Sequence, residues 1–243
     1  MAFRKVQTLI GMAIFLFFVT ARSQASEPQN LVISIAELPV LAENKNKGIL
    51  VELIQAMDKA LGTSTTIKVL PFRRSIKTAL AGGANAHLPF IVVKPAKSEG
   101  QFLKYSKAKM FDVAFVMYAL KDRNLSKGVL SGLKVETLQA HVDVIPHAVF
   151  GSNCIVCSLK RLQSRRIDAF IFAQKETDQE LKKLGYLNVR RSLYNIYDVR
   201  AVLAPGKAGE DADQFLTNGI EALKANGEYK RIMAPFLDSF VEW

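Results

Sequence analysis

Residues 31–93, LVISIAELPVLAENKNKGILVELIQAMDKALGTSTTIKVLPFRRSIKTALAGGANAHLPFIVV, carry the pattern from which the fold follows. The first six, LVISIA, form a short β-rich run that leads into a proline-containing loop over 38–47. Residues 48–61 then place Leu50, Leu53, Ile54, Met57 and Leu61 at three- and four-residue steps, the stripe of an amphipathic helix, and Gly62 stops it. Residues 65–70 make a second strand. Pro71-Phe72-Arg73-Arg74 turns the chain into a helix carrying Ile76, Ala79 and Leu80, which ends at Gly82-Gly83, and 86–93 supply a third strand. This alternation predicts a parallel sheet covered by helices.

The rhythm returns downstream: a strand over 133–138, a helix over 154–165, a strand over 167–173 (IDAFIFA), a helix over 177–184 and a strand over 187–191. Between the two units lies the apolar run 113–120 (VAFVMYAL), and after them 199–204 (VRAVLA), followed by helices over 212–226 and 229–236. No low-complexity tract or short repeat is present, so the pattern predicts two α/β lobes rather than an array.

Working back to the start, Arg4 and Lys5 precede a mostly apolar stretch over 6–20 and a short, small-residue segment over 21–25. That is the layout of an export signal, with Ser23 and Ala25 placed for a cut after Ala25. The apolar run is shorter than the roughly 20 residues of a spanning helix. Loss of Arg4, Lys5 and Arg22 would leave 30 basic residues against 22 acids, a net charge of +8 on 218 residues. A basic surface suits an anionic ligand or membrane face. The densest cluster, Lys160-Arg161 with Arg165-Arg166, has the simpler reading of a solvated helix face. Export, together with the lack of an aromatic-interleaved basic stripe, argues against nucleic acid as a partner.

Six segments in order resemble the bacterial periplasmic solute-binding proteins of the amino-acid type, the receptors of ABC importers. They are GILVELIQAMDKALG, KVLPFRRSIKTALAGGANAHLPF, YSKAKMFDVAFVMY, LSGLKVETL, LKRLQSRRIDAFIFA and IEALKANGEYKRIM. The resemblance implies a type II, two-lobed periplasmic-binding-protein-like fold with two crossover hinge strands, expected at 113–120 and 199–204. The expected division is a signal over 1–25, a first lobe from 26–113 plus 204–243, and a second lobe over 114–203. It further implies a periplasmic monomer that captures a small polar solute between its lobes for an inner-membrane ABC permease. No cofactor is expected. Two departures argue against an ordinary free amino acid as ligand. Where the family places an arginine to clamp the ligand carboxylate, residues 92–97 offer Lys94 and Lys97, which supply charge without the planar fork. The family's acidic turn residue is replaced by Asn85.

Strand ends nominate the cleft: Glu37 after the first strand, Phe72, Arg73 and Arg74 after the second, Phe90 at the third, and Gln174 with Glu176 after IDAFIFA. Lys97 and Asp198 are added from their neighbourhoods. For each there is a plainer alternative: a surface or lobe-internal role for the arginines, core packing for the phenylalanines, a hinge ion pair for Asp198. Cys154 and Cys157, the only cysteines, fit a local disulfide in an oxidising compartment, two buried thiols or a redox pair. With His141 and His147 they also offer zinc-type donors, though not in a familiar finger spacing, and two loop histidines are more simply solvated. No H-E-x-x-H, G-x-S-x-G or phosphate loop occurs, so no catalytic constellation is expected; an enzyme on the same two-lobed scaffold and a ligand-sensing or redox accessory protein are the rival readings.

Overall fold

The computed structural model describes residues 30–94, 97–98, 101–123, 125, 130–145, 147, 149–237 and 240–241. The segment read as an export signal lies outside the described residues. No helix among those described is long and apolar enough to cross a membrane.

The first unit forms as its periodicity predicts. Strand β1 (Val32–Ala36) lies between β2 (Thr66–Leu70) and β3 (Ala86–Ile91), parallel to both. Helix α1 (Ile49–Leu61) turns Leu50, Leu53, Ile54 and Met57 into the core, and Gly62 closes it in the left-handed conformation. Helix α2 (Phe72–Leu80) follows β2 and buries Ser75, Ile76 and Ala79. Strands β4 (Lys97–Ser98) and β5 (Gln101–Phe102) make a small hairpin, and the chain then enters the long strand β6 (Tyr105–Leu120).

The second unit is built from β7 (Val135–Leu138), a 3-10 helix (Gln139–Val144), β8 (Phe150–Ser152), α3 (Ile155–Gln163), β9 (Ala169–Ala173) and α4 (Gln174–Leu184). Here the structure corrects the sequence reading. Residues 187–191 were expected to close a second parallel unit. They instead begin β10 (Val189–Leu203), which runs antiparallel to β6 from Val189 opposite Leu120 to Val202 opposite Tyr105. The parallel neighbours of β7 are β9 and the three-residue β8. Both crossing strands are therefore far longer than the runs that announced them. The intervening Ser192, Asn195 and Asp198, together with the exposed Leu193 and Ile196, conceal the continuity of β10.

All eight long-range strands form one sheet in the order β2-β1-β3-β10-β6-β9-β7-β8. Its first half carries α1 and α2, its second half α3 and α4, and β6 and β10 belong to both. Helices α5 (Lys207–Ala225) and α6 (Glu228–Leu237) return to pack on α1 and β6. The fit between α1 and α5 is close: a side chain at Gly219 would stand 2.6 Å from Met57 Cγ. Beyond α6 the chain reaches back to the second half, where Arg191 Nη2 donates to the Val241 carbonyl (3.0 Å) and the Arg191 guanidinium lies 5.4 Å from the Phe240 ring centre.

Candidate ligand cleft

In parallel α/β sheets the carboxyl ends of the strands, and the loops that leave them, face the crevice where ligands bind. Both halves of this molecule bring such ends together. From the first come Glu37 after β1, Phe72 opening α2, and Phe90 in β3 after the cis Leu88–Pro89 bond. From the second come His141 in the 3-10 helix after β7, Cys154 and Ile155 after β8, and Glu176 in the first turn of α4.

Two spaces lie between them. The inner one is lined by Phe72, Phe90, Phe115, His141, Phe172 and Glu176 among others, and holds about 20 Å³, room for a water molecule. The outer one, about 570 Å³, is lined from one side by Glu37, Leu38, Pro39, Glu43, Pro71 and Phe72, and from the other by Leu138, Asn153, Cys154, Ile155, Gln179, Glu180 and Lys183. Leu38 and Phe72 border both, so the outer groove leads onto the inner pocket.

The inner pocket is small because aromatic rings fill it. The His141 ring lies 5.0 Å from Phe72, 5.6 Å from Phe90 in a stacked arrangement, and 5.4 Å from both Phe115 and Phe172. Nearby, His87 Nδ1 is hydrogen-bonded to Ser75 Oγ (2.8 Å), which in turn meets Ser34 Oγ (2.7 Å). Burial pushes both imidazoles down to about 3, and their mutual repulsion adds to the shift at His87. Both rings are therefore neutral near pH 7. Glu176 is 1% exposed, its Oε2 has no hydrogen-bond partner, and burial pushes its carboxyl up to about 7. Sequence reasoning placed His141 on a solvated loop; it is buried, and only His147 is exposed. The rings that enclose His141 come from four separate elements, an adjacency that no local spacing displays.

Glu37 is exposed at the groove mouth, Phe72 is half-buried between the two spaces, and Phe90 is fully buried at the inner one. Gln174 and Asp198 line neither space. The Gln174 carbonyl accepts from Tyr118 Oη (3.2 Å), and Asp198 Oδ2 is ion-paired with Arg200 (2.9 Å). Arg73 and Arg74 are exposed on α2 and border a separate surface depression with Lys77, Thr78 and Ala81. Lys97 belongs to β4, which approaches the 3-10 helix of the other half; its side chain lies outside the described residues.

Cys154 and Cys157 form a disulfide at the start of α3, with the Cys157 backbone N–H also directed at Cys154 Sγ (2.9 Å). Neither sulfur is then a thiolate donor for zinc. Of the basic cluster on this helix, Arg161 grips Glu136 with two parallel hydrogen bonds (2.8 and 2.7 Å) and Arg165 pairs with Asp122 (2.5 Å), so these two charges are already matched.

The chain has the two-lobed type II fold of periplasmic binding proteins. It is similar to a histidine kinase sensor domain with similarity to periplasmic binding proteins, at 14% identity over 86% of this chain and 96% of that one, TM-score 0.71. It is also similar to the GluR0 ligand-binding core from Nostoc punctiforme in complex with (L)-glutamate, at 16% identity over 86% and 100%, TM-score 0.68. A third similar structure is the arginine-, lysine-, histidine-binding protein ArtJ from the thermophilic bacterium Geobacillus stearothermophilus, at 14% identity over 88% and 97%, TM-score 0.67. No family model and no curated protein sequence matches the chain.

Proposed function

We propose that this chain is a periplasmic solute-binding protein, exported by a signal cleaved after Ala25, that captures a small polar solute between its lobes. The carrying observation is the convergence of strand-end groups from both halves on one cleft, with β6 and β10 as the shared strands beneath it. The inner pocket at about 20 Å³ is too small for a solute, so binding proceeds with the lobes further apart and closure follows as a hinge motion. The proposed lobes are 26–113 with 204–243 and 114–203. The proposed contacts are Glu37 and Phe72 at the groove, with Phe90 and Glu176 beneath it. The closed monomer would then dock on an inner-membrane ABC permease. The amino-acid ligands of the similar structures support small-molecule capture as the work of the cleft.

Thermal unfolding against a broad solute panel tests this reading. A ligand at a hundred times its dissociation constant stabilises by about 2.7 kcal/mol, a readable rise in melting temperature. Native mass spectrometry of protein taken directly from periplasmic extract would identify a tight ligand by its mass. If no solute shifts the transition and nothing co-purifies, solute capture is abandoned.

A further inference from the structure

We infer that the cleft takes a small organic amine or guanidine that carries no carboxylate, held between Glu37 of the outer groove and Glu176 of the inner pocket, with Phe72 bordering both. The inference rests on the solute-binding reading and names its ligand class.

The chain as a whole is basic, with 33 Lys and Arg against 22 Asp and Glu, yet the described lining of the cleft is acidic. Glu37, Glu43 and Glu180 border the outer groove and Glu176 the inner pocket, against a single lysine, Lys183. That lysine is already paired with Glu180 (2.6 Å), and Glu43 is matched by Lys47 (2.5 Å). Glu37 and Glu176 are left without an ion-pair partner among the described residues, and Glu176 is buried with an oxygen facing no donor. A buried carboxylate with an unfilled acceptor is costly unless a donor is brought to it. A ligand ammonium or guanidinium supplies both the charge and the hydrogen. Phe72 borders both spaces, and an aromatic face beside a desolvated cation adds cation–π attraction.

A ligand carboxylate finds no unpaired cation among the described lining residues. No arginine among the described residues lines either space, and Arg73 and Arg74 border a different depression. The one imidazole in the lining, that of His141, is neutral and enclosed by rings, and the neutral His87 lines neither space. A ligand carboxylate would therefore meet an acidic described lining, which disfavours it.

Pairs of probes that differ only in that group decide the matter: agmatine against arginine, and putrescine against ornithine, titrated calorimetrically into solute-free protein. We expect agmatine or putrescine to bind at least about tenfold tighter than its amino-acid counterpart, the worth of one hydrogen bond to a charged group. Glu176→Gln and Glu37→Gln should each weaken the amine by about tenfold or more. Neither variant should fail to fold, since Glu37 is exposed and Glu176→Gln removes a buried charge; melting temperatures at or above that of the parent protein would verify this. Amino acids that bind as tightly as the amines, or variants that bind amines unchanged, overturn the inference. A neutral or anionic solute that binds where no amine does overturns it and leaves solute capture standing. If no solute of any class binds, both readings fall.

Discussion

Glu176 spends its stability in an unusual way for a carboxylate. Its folded value near 7 lies above the ordinary glutamate value of 4.5, so the folded state holds the proton more tightly than the unfolded chain does. Stability is then highest below about pH 4.5 as far as this group is concerned, and falls as pH rises through 7. Replacement by glutamine should remove that slope and raise stability at pH 8 by roughly 3 kcal/mol, read by urea denaturation at pH 5 and pH 8. Burial outweighs the Glu176 backbone N–H and the Lys175 ammonium, which pull its value down, while the His141 imidazole stays neutral and the Tyr118 phenol is pushed far up by burial, so the sign holds. The histidines act oppositely. With folded values near 3 against 6.5, His87 and His141 favour the fold above pH 6.5 and lose that contribution as pH falls toward 3. His141→Phe, which suits its ring-lined site, should abolish roughly half of this acid sensitivity, measured as melting temperature between pH 7 and pH 4. Glu176, Phe72 and Phe90 were legible in the sequence because the strand-end rule points to them. His141 was not, since Phe72, Phe90, Phe115 and Phe172 reach it from remote parts of the chain.

At the scale of elements, α1, β1 and β3 follow from periodicity because each buries apolar side chains along its length, whereas β2 is only half-buried and is held by its parallel pairing with β1. Strand β10 does not follow from periodicity: its middle runs at the edge of burial, with Leu193 and Ile196 exposed, and its local pattern looks like a loop between two strands. Pairing with β6 on one side decides its conformation, a tertiary effect that outweighs local propensity. The start of α1 is decided locally instead. Gly48 has φ of 137°, and a Cβ there would stand 2.4 Å from the Leu41 carbonyl oxygen. Gly48→Ala must therefore displace the loop that carries Leu38 and Leu41, residues of the cleft wall. We expect a loss of about 2 kcal/mol or more in equilibrium unfolding, well beyond an ordinary surface substitution.

For the whole molecule, the two-lobed plan was legible from two rounds of alternating strands and helices, whereas the unity of the sheet was not. A single array from β2 to β8 makes β6 and β10 both partition and link, paired nearly end to end. Their pairing slips between Leu193 and Asn195 and again around Arg200. Such bulges bend and twist a strand locally, so lobe movement should be concentrated there rather than spread along the ladder. The contact of Arg191 with Phe240 and Val241 adds a third tie between the halves, one that must stretch or swing whenever they part.

The return of α5 and α6 onto α1 also orders the birth of the molecule. The segment from β6 to β10 is contiguous, and its long-range contacts close as soon as Leu203 is available. The core beneath α1 waits for residues 207–237, more than a hundred positions later in the chain. Closing so long a loop is slow, and until it closes Leu50, Leu53 and Met57 lack the helices that cover them. In pulse-labelled hydrogen exchange during refolding, amides of β7, β9 and α3 should gain protection before those of α1. Simultaneous protection would show instead that the shared sheet forms first. A chain made from its amino end thus carries α1 uncovered for most of its synthesis.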